Sequence, residues 1–278
     1  TGWEPVCISS LNKFRTRKSN KCKKINSKVE SYIISHLRVG WSPEIISGRI
    51  YKDIKCRISF KTMYCYIWQD KQACGNLCKL LPHQDKRYKY NSSSRCPIRD
   101  RIDISLRPAI VDKKVRIGDF EGDTTVGVKG GDKSCLLTLV DRVSKYTIIR
   151  KLPNKTASSV ESAMYYSYDD SILAFITVTY DNGTEFMNHT NISKTLGCDI
   201  YFARPYRSCD RVLNEHSNGL IGRFYPKKTN FATVMPERVK YVQDLLNDRP
   251  RKSLNFLTPN EVINKYLTKT YKKMSHLI

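Results

Sequence analysis

The chain has 278 residues, with 49 Lys and Arg against 26 Asp and Glu, for a formal net charge of +23. A hydrophobic share of 40% is enough to bury a core and excludes the profile of a disordered chain; no apolar run approaches the roughly 20 residues that a bilayer-crossing helix needs. The chain reads as soluble and in need of a polyanion: the basic footprint favours nucleic acid, while charge alone leaves anionic membrane surfaces and structural RNA open.

The chain opens on Thr1 instead of Met, as a fragment or a processed product would. Residues 1–28 form a basic arm, with eight basic and no acidic residues between Lys13 and Lys28; Lys18, Lys23 and Lys24 are candidate phosphate contacts. Residues 29–70 are expected to be helical. Val29, Ile33, Ile34 and Leu37 repeat at helical spacing up to Gly40. Ser42-Pro43-Glu44 then carries an N-cap, a first-turn Pro and an acid at the positive helix end, followed by Ile45, Ile46 and Ile50. A third helix begins near Ser59 and carries Met63, Tyr64, Ile67 and Trp68. Three short helices with tight connections fit a helix-turn-helix-like DNA-binding region, and equally a plain scaffold.

Residues 71–110 have linker composition with recurring basic residues, Arg87 among them as a candidate DNA contact, and little regular structure is expected. The catalytic region is expected over 111–270, where the pattern turns to strands at 116–126, 135–141 and 146–152, with Asp141 to Lys145 as a turn. A helix over 156–169, a strand 176–180, a short strand 200–203 and a helix from about 213 follow, which implies a mixed sheet with helices on its faces. Ten cysteines are scattered, with Cys74 and Cys78 the one close pair, so reduced thiols packed as small apolar groups are expected in preference to zinc ligands.

The carboxylates carry the chemistry. Asp119, Glu121 and Asp123 alternate along the first strand and so share a face, which suits an exposed sheet face or a metal site. Asp181-Asn182-Gly183 ends an apolar strand, where open sheets place ligands and where ordinary turns also occur. Glu215 and Asn218 lie three apart on a helix and face the same way. Phosphodiester chemistry with two metal ions needs acidic oxygens that hold a pair of Mg²⁺ roughly 4 Å apart, and carboxylates from two strands and a helix can converge on such a pair.

GDFEGDTTVG, LLTLVDRVSKY, TYDNGTEF, YFARPY and NEHSNGLIGRFYPKKT, with WSPEIISGRI upstream and LNDRPRKSLNFLTPNEV downstream, closely resemble the DDE transposases of the IS-thirty insertion-sequence family. The spacing agrees as well, with 57 residues between Asp123 and Asp181 and 33 between Asp181 and Glu215. The resemblance implies an α/β fold: an RNase H-like, mixed-sheet integrase core preceded by a small helical, helix-turn-helix-like DNA-binding region. It implies Asp123, Asp181 and Glu215 as catalytic residues and ligands of Mg²⁺, with Mn²⁺ as a substitute, and it selects Asp123 over Asp119 and Glu121. Asn182, His216 and Asn218 would support the triad, and Arg249 and Lys252 would touch DNA.

The function implied is cleavage at terminal inverted repeats and strand transfer into target DNA, in the bacterial cytoplasm at the nucleoid, with no membrane partner. Pairing of two ends implies a homo-oligomer on DNA. The sequence departs from the family where Cys209 replaces a Trp, Val212 a Gly and Gly222 a commonly basic residue, and the proximal N-terminal helical unit is not seen. A catalytically inactive DNA-binding remnant is therefore the alternative reading.

Overall fold

The structure, a computed structural model, describes residues 25–81, 98–128, 133–204 and 212–275, without the side chains of 212–215 and 270–275. The chain divides into two compact units, one up to Arg87 and one from Tyr88 onward.

The first unit holds three helices, α1 (Ser27–Arg38), α2 (Pro43–Ile54) and α3 (Phe60–Gln72). Each starts on a side-chain cap: Asn26 accepts from the Val29 N–H at 3.0 Å, Ser42 from Ile45 at 3.4 Å and Ser59 from Thr62 at 3.2 Å. The helical spacing places Val29, Ile33, Leu37, Ile46, Ile50, Met63 and Ile67 in the core, whereas Trp68 is exposed. Between α1 and α3 the Tyr66 hydroxyl donates to Glu30 at 2.5 Å. Residues 71–110 contribute, where described, short helical turns at Leu77–Leu80 and Ile104–Leu106 and the start of α4 (Ala109–Asp112).

The second unit is built on a five-stranded sheet with strands β1 (Asp119–Val126), β2 (Cys135–Asp141), β3 (Thr147–Leu152), β4 (Thr177–Tyr180) and β5 (Asp199–Phe202). Their order is β3-β2-β1-β4-β5, with β1/β2 and β2/β3 antiparallel and β1/β4 and β4/β5 parallel. Strand β1 starts at Asp119 and not at residue 116 because Gly118 takes a φ of +105°, which breaks the extended run. The turn after β2 is held by Asp141, which accepts from the N–H groups of Gly118 (2.8 Å), Val143 (3.0 Å) and Ser144 (2.6 Å).

Helices lie on both faces. The parallel crossovers run through α5 (Ala157–Asp169) and α6 (His189–Leu196), and the apolar face toward them gathers Phe120, Leu137, Leu139, Ile148, Val160, Met164, Tyr180, Phe186 and Phe202. On the other face, α7 (Val212–Phe224) and α8 (Pro236–Asn247) pack Leu220, Ile221, Val239, Val242 and Leu246 against Leu136 and Ile149. A last helix, α9 (Pro259–Ser275), closes the unit. Sheet order, strand sense and helix placement make this an RNase H-like α/β fold.

The edge strand β3 is finished by a helix. Gln243 Oε1 accepts from the Ile149 N–H at 2.9 Å. Asn247 accepts from the Thr147 N–H and donates to its carbonyl, both at 2.9 Å. Both residues are buried and sit one turn apart on α8, so their amides serve the backbone groups that an edge strand would otherwise expose.

Candidate active site

Strands β1 and β4 run parallel in the register Asp119↔Thr177, Phe120↔Val178 and Glu121↔Thr179. Asp123 and Asp181 each lie two residues past the Glu121–Thr179 pair, Asp123 within β1 and Asp181 just beyond the end of β4, so the same register carried onward brings them to one level of neighbouring central strands. The same alternation puts Asp119, Glu121 and Asp123 on one face, the one covered by α7 and α8.

The three alternate acids of β1 meet different environments. Asp119 is buried and accepts from Arg116 at 2.8 Å and from the Thr177 hydroxyl at 2.8 Å. Glu121 is buried and pairs with the buried Arg142 at 2.5 Å. Both are committed to internal ion pairs, whose rupture would leave a charge in low dielectric. Asp123 is half-buried; its carboxylate accepts from the Thr124 N–H at 2.9 Å and from Asn218 Nδ2 at 2.7 Å. Asp181 is also half-buried and accepts from the Gly183 N–H at 2.9 Å, which shapes the turn after β4.

Asn218 comes from α7 and bridges to β1, with its Oδ1 3.5 Å from the Thr125 hydroxyl. Glu215 lies on α7 one turn before Asn218; its side chain is outside the described residues. Asn182 does not point at the carboxylates through its amide nitrogen: Nδ2 donates to the Ala203 carbonyl at 2.7 Å, and Arg101 donates to its Oδ1. His216 is exposed on α7, with its pKa held below the ordinary imidazole range first by desolvation and then by the charges of Arg251, Arg249 and Lys145. Among the described residues, no group of three His, Cys, Asp or Glu is gathered as a metal-binding set.

Of the expected DNA contacts, Lys18, Lys23, Lys24 and Arg87 lie outside the described residues, and Lys252 is exposed. Arg249 is 7% exposed, turned into the molecule by the segment after α8. The described cysteines, Cys56, Cys65, Cys74, Cys78, Cys135 and Cys198, are free thiols.

One buried acid escaped the reading of the sequence. Glu185, 3% exposed, accepts from the Thr124 hydroxyl at 2.7 Å and pairs with Lys155 at 2.9 Å. It ties the loop after Asp181 to the residue that follows Asp123. Its place four residues beyond Asp181 was the available signal.

Residues 118–208 match the integrase core domain family. The transposase for insertion sequence element IS4351 of Bacteroides fragilis is 38% identical over 250 residues, covering 88% of this chain and 76% of that protein. The transposase InsI of element IS30C of Escherichia coli is 31% identical over 257 residues, with 86% of this chain and 65% of the relative covered. The transposase of IS1086 of Cupriavidus metallidurans is 30% identical, with 82% and 69% covered. The catalytic core domain of BIV integrase aligns with 55% of this chain and 98% of its own at 18% identity and a TM-score of 0.43. The chain belongs to the IS30-like family of insertion-sequence transposases, proteins of DNA transposition. Among the described residues no helix is long and apolar enough to cross a membrane.

Proposed function

We propose that the chain is a DDE transposase that cleaves DNA at the ends of its element and joins the freed 3′-hydroxyls to target DNA, with Asp123, Asp181 and Glu215 as its catalytic residues. The observation that supports the reading is that Asp123 on β1 and Asp181 just after β4 each follow the Glu121–Thr179 pair of these parallel strands by two residues, with Asn218 of α7 on Asp123. Glu215 precedes Asn218 by one turn of α7, and the family resemblance supports its part in the triad.

A divalent metal fits this donor set. Asp119 and Glu121 are taken up by arginines, while Asp123 and Asp181 are half-exposed hard oxygen donors of the kind Mg²⁺ prefers. Asp123, Asp181 and Glu215 would hold Mg²⁺, or Mn²⁺ in its place. When bound, a metal pair lowers the pKa of the attacking hydroxyl and offsets charge on the leaving oxygen. The chain's own part is orientation. Asn218 fixes one oxygen of Asp123 and leaves the other to the Thr124 N–H, and the Gly183 N–H fixes Asp181.

The three helices of residues 27–72 would serve as a helix-turn-helix-like DNA-binding region beside the arm and linker, with the inverted repeats as the site read. A homo-oligomer on paired ends follows from the mechanism. The test is a strand-transfer assay with labelled inverted-repeat ends and Mg²⁺, run with Asp123→Ala and Asp181→Ala. Joined product that is lost in both variants while DNA binding persists supports the assignment. Full activity in either variant sinks it.

A further inference from the structure

Two arginines after α8 are buried, and among the described residues neither guanidinium has a carboxylate partner. Arg249 and Arg251 are 7% and 5% exposed, and the Nε of each has no hydrogen-bond partner. Arg251 donates one bond, from Nη2 to the Leu246 carbonyl at 3.1 Å, at the carboxyl end of α8. Among the described residues no carboxylate pairs with either guanidinium. The neighbouring Asp248 is turned to Asn260, which donates to it at 2.7 Å.

What surrounds them is also positive. Arg249 feels the charge of Arg223, Arg251 feels Arg249, and His216 feels Arg251, Arg249 and Lys145. His216 and Arg223 lie two turns apart on α7 and share a side of it. Desolvation, followed by these like charges, pushes Arg249 down to about 10 and Arg251 to about 9, and both remain cations near neutral pH.

The segment is held firmly, so the charges are not there by default of a loose loop. Arg251 forms an isolated bridge with Leu257, donating its N–H at 2.9 Å, and accepts from the Phe256 N–H at 2.9 Å. The turn between them runs through Asn255 and Phe256 at φ of +51° and +59°. Upstream, Asn247 locks the end of α8 to Thr147. A fold that holds unpaired cations in low dielectric is costly unless an anion completes them.

We propose that Arg249 and Arg251, with Arg223, Lys145 and His216 around them, form a preorganised site for one backbone phosphate of the DNA, beside the first turns of α7. The proposal rests on the DNA-joining function above and adds the place where the strand is gripped next to the catalytic helix. A guanidinium fork fits phosphate oxygens bidentately, and burial strengthens the interaction relative to a surface lysine.

Arg249→Gln in the full chain tests it, since Arg249 makes no side-chain hydrogen bond in the described structure. Two measurements are needed: metal-free anisotropy with a short duplex across a salt series, and thermal unfolding with and without inorganic phosphate. The expected results are a loss of about tenfold in DNA affinity at low salt and a salt slope shallower by about one unit. In phosphate-free buffer Arg249→Gln should unfold no earlier than the parent, and only the parent should gain stability from inorganic phosphate. Arg249→Lys should keep the salt slope and lose part of the affinity.

An unchanged DNA affinity and slope overturns the proposal, even with a response to inorganic phosphate, because the site would then take free anion and not DNA. Earlier unfolding in phosphate-free buffer overturns it too, since the guanidinium would be serving the fold. The binding assay needs no metal and no catalysis. An active Asp181→Ala chain would therefore defeat the catalytic assignment and leave the arginine site to stand or fall on its own binding data.

Discussion

Asn218 donates from Nδ2 to Oδ2 of Asp123 at 2.7 Å, joining α7 to β1 across 95 residues of sequence. The bond fixes the rotation of α7 over the strand and the direction in which Asp123 presents its other oxygen.

Asn218→Ala should lower strand joining by about tenfold or more, the usual cost of losing a partner that orients a metal ligand. Raising the Mg²⁺ concentration should recover part of the loss, and DNA binding should not change. A variant with parental activity at every Mg²⁺ concentration would show that Asp123 needs no such support.

Asn247→Ala removes both amide contacts to Thr147 and leaves a buried N–H and carbonyl without partners. Each orphaned group costs about 1–3 kcal/mol, so urea unfolding should show a loss of about 3 kcal/mol with the slope unchanged. A loss under about 1 kcal/mol would mean that water reaches the edge of β3.

Gly122 precedes Asp123, and a Cβ built there would stand 2.3 Å from Cε1 of the buried Tyr180, which itself precedes Asp181. Gly122→Ala must displace the buried Tyr180 ring or the strands that carry the two acids. The expected outcome is a destabilisation of about 2 kcal/mol, as for overpacked cores, together with loss of strand joining. Joining at the parental rate would show that the two strands give way without disturbing the acids.

Lys145 sits at φ +61° in the turn between β2 and β3, and its pKa falls to about 8, first through desolvation and next through the charge of Lys114. The unfolded chain keeps an ordinary lysine near about 10.4. Between those values the unfolded state binds a proton that the folded state does not, so this residue's contribution to stability rises with pH from about 8 toward 10. Below that window its buried charge is a penalty. Lys145→Asn, which also suits positive φ, should raise stability by about 1 kcal/mol near neutral pH. The advantage should shrink as pH rises through the window, and a gap that stays constant in thermal melts would remove burial of the charge as its cause.

Much of the fold was legible before the structure. Strands β2 to β5 and helix α5 follow their patterns to within a residue or so, because apolar runs, Gly turns and side-chain caps are local signals. The start of β1 was misjudged because the left-handed Gly118 belongs to the packing of the strand against the segment before β4. Helix α8 was not singled out in the sequence, and its Gln243 and Asn247 are buried on the edge of β3. No local pattern announces a polar side chain whose partner lies 100 residues away.

The candidate site divides along the same line. The sequence by itself determined the fold class, the family, and the three alternate acids of β1 on a common face, since strand periodicity is a property of the backbone. Among Asp119, Glu121 and Asp123 periodicity could not choose, and resemblance alone selected Asp123. Only the tertiary structure brings Arg116 to Asp119, Arg142 to Glu121 and Asn218 to Asp123, and only it turns Arg249 inward. A charge takes its chemical role from what solvates or pairs it, and those partners arrive through packing.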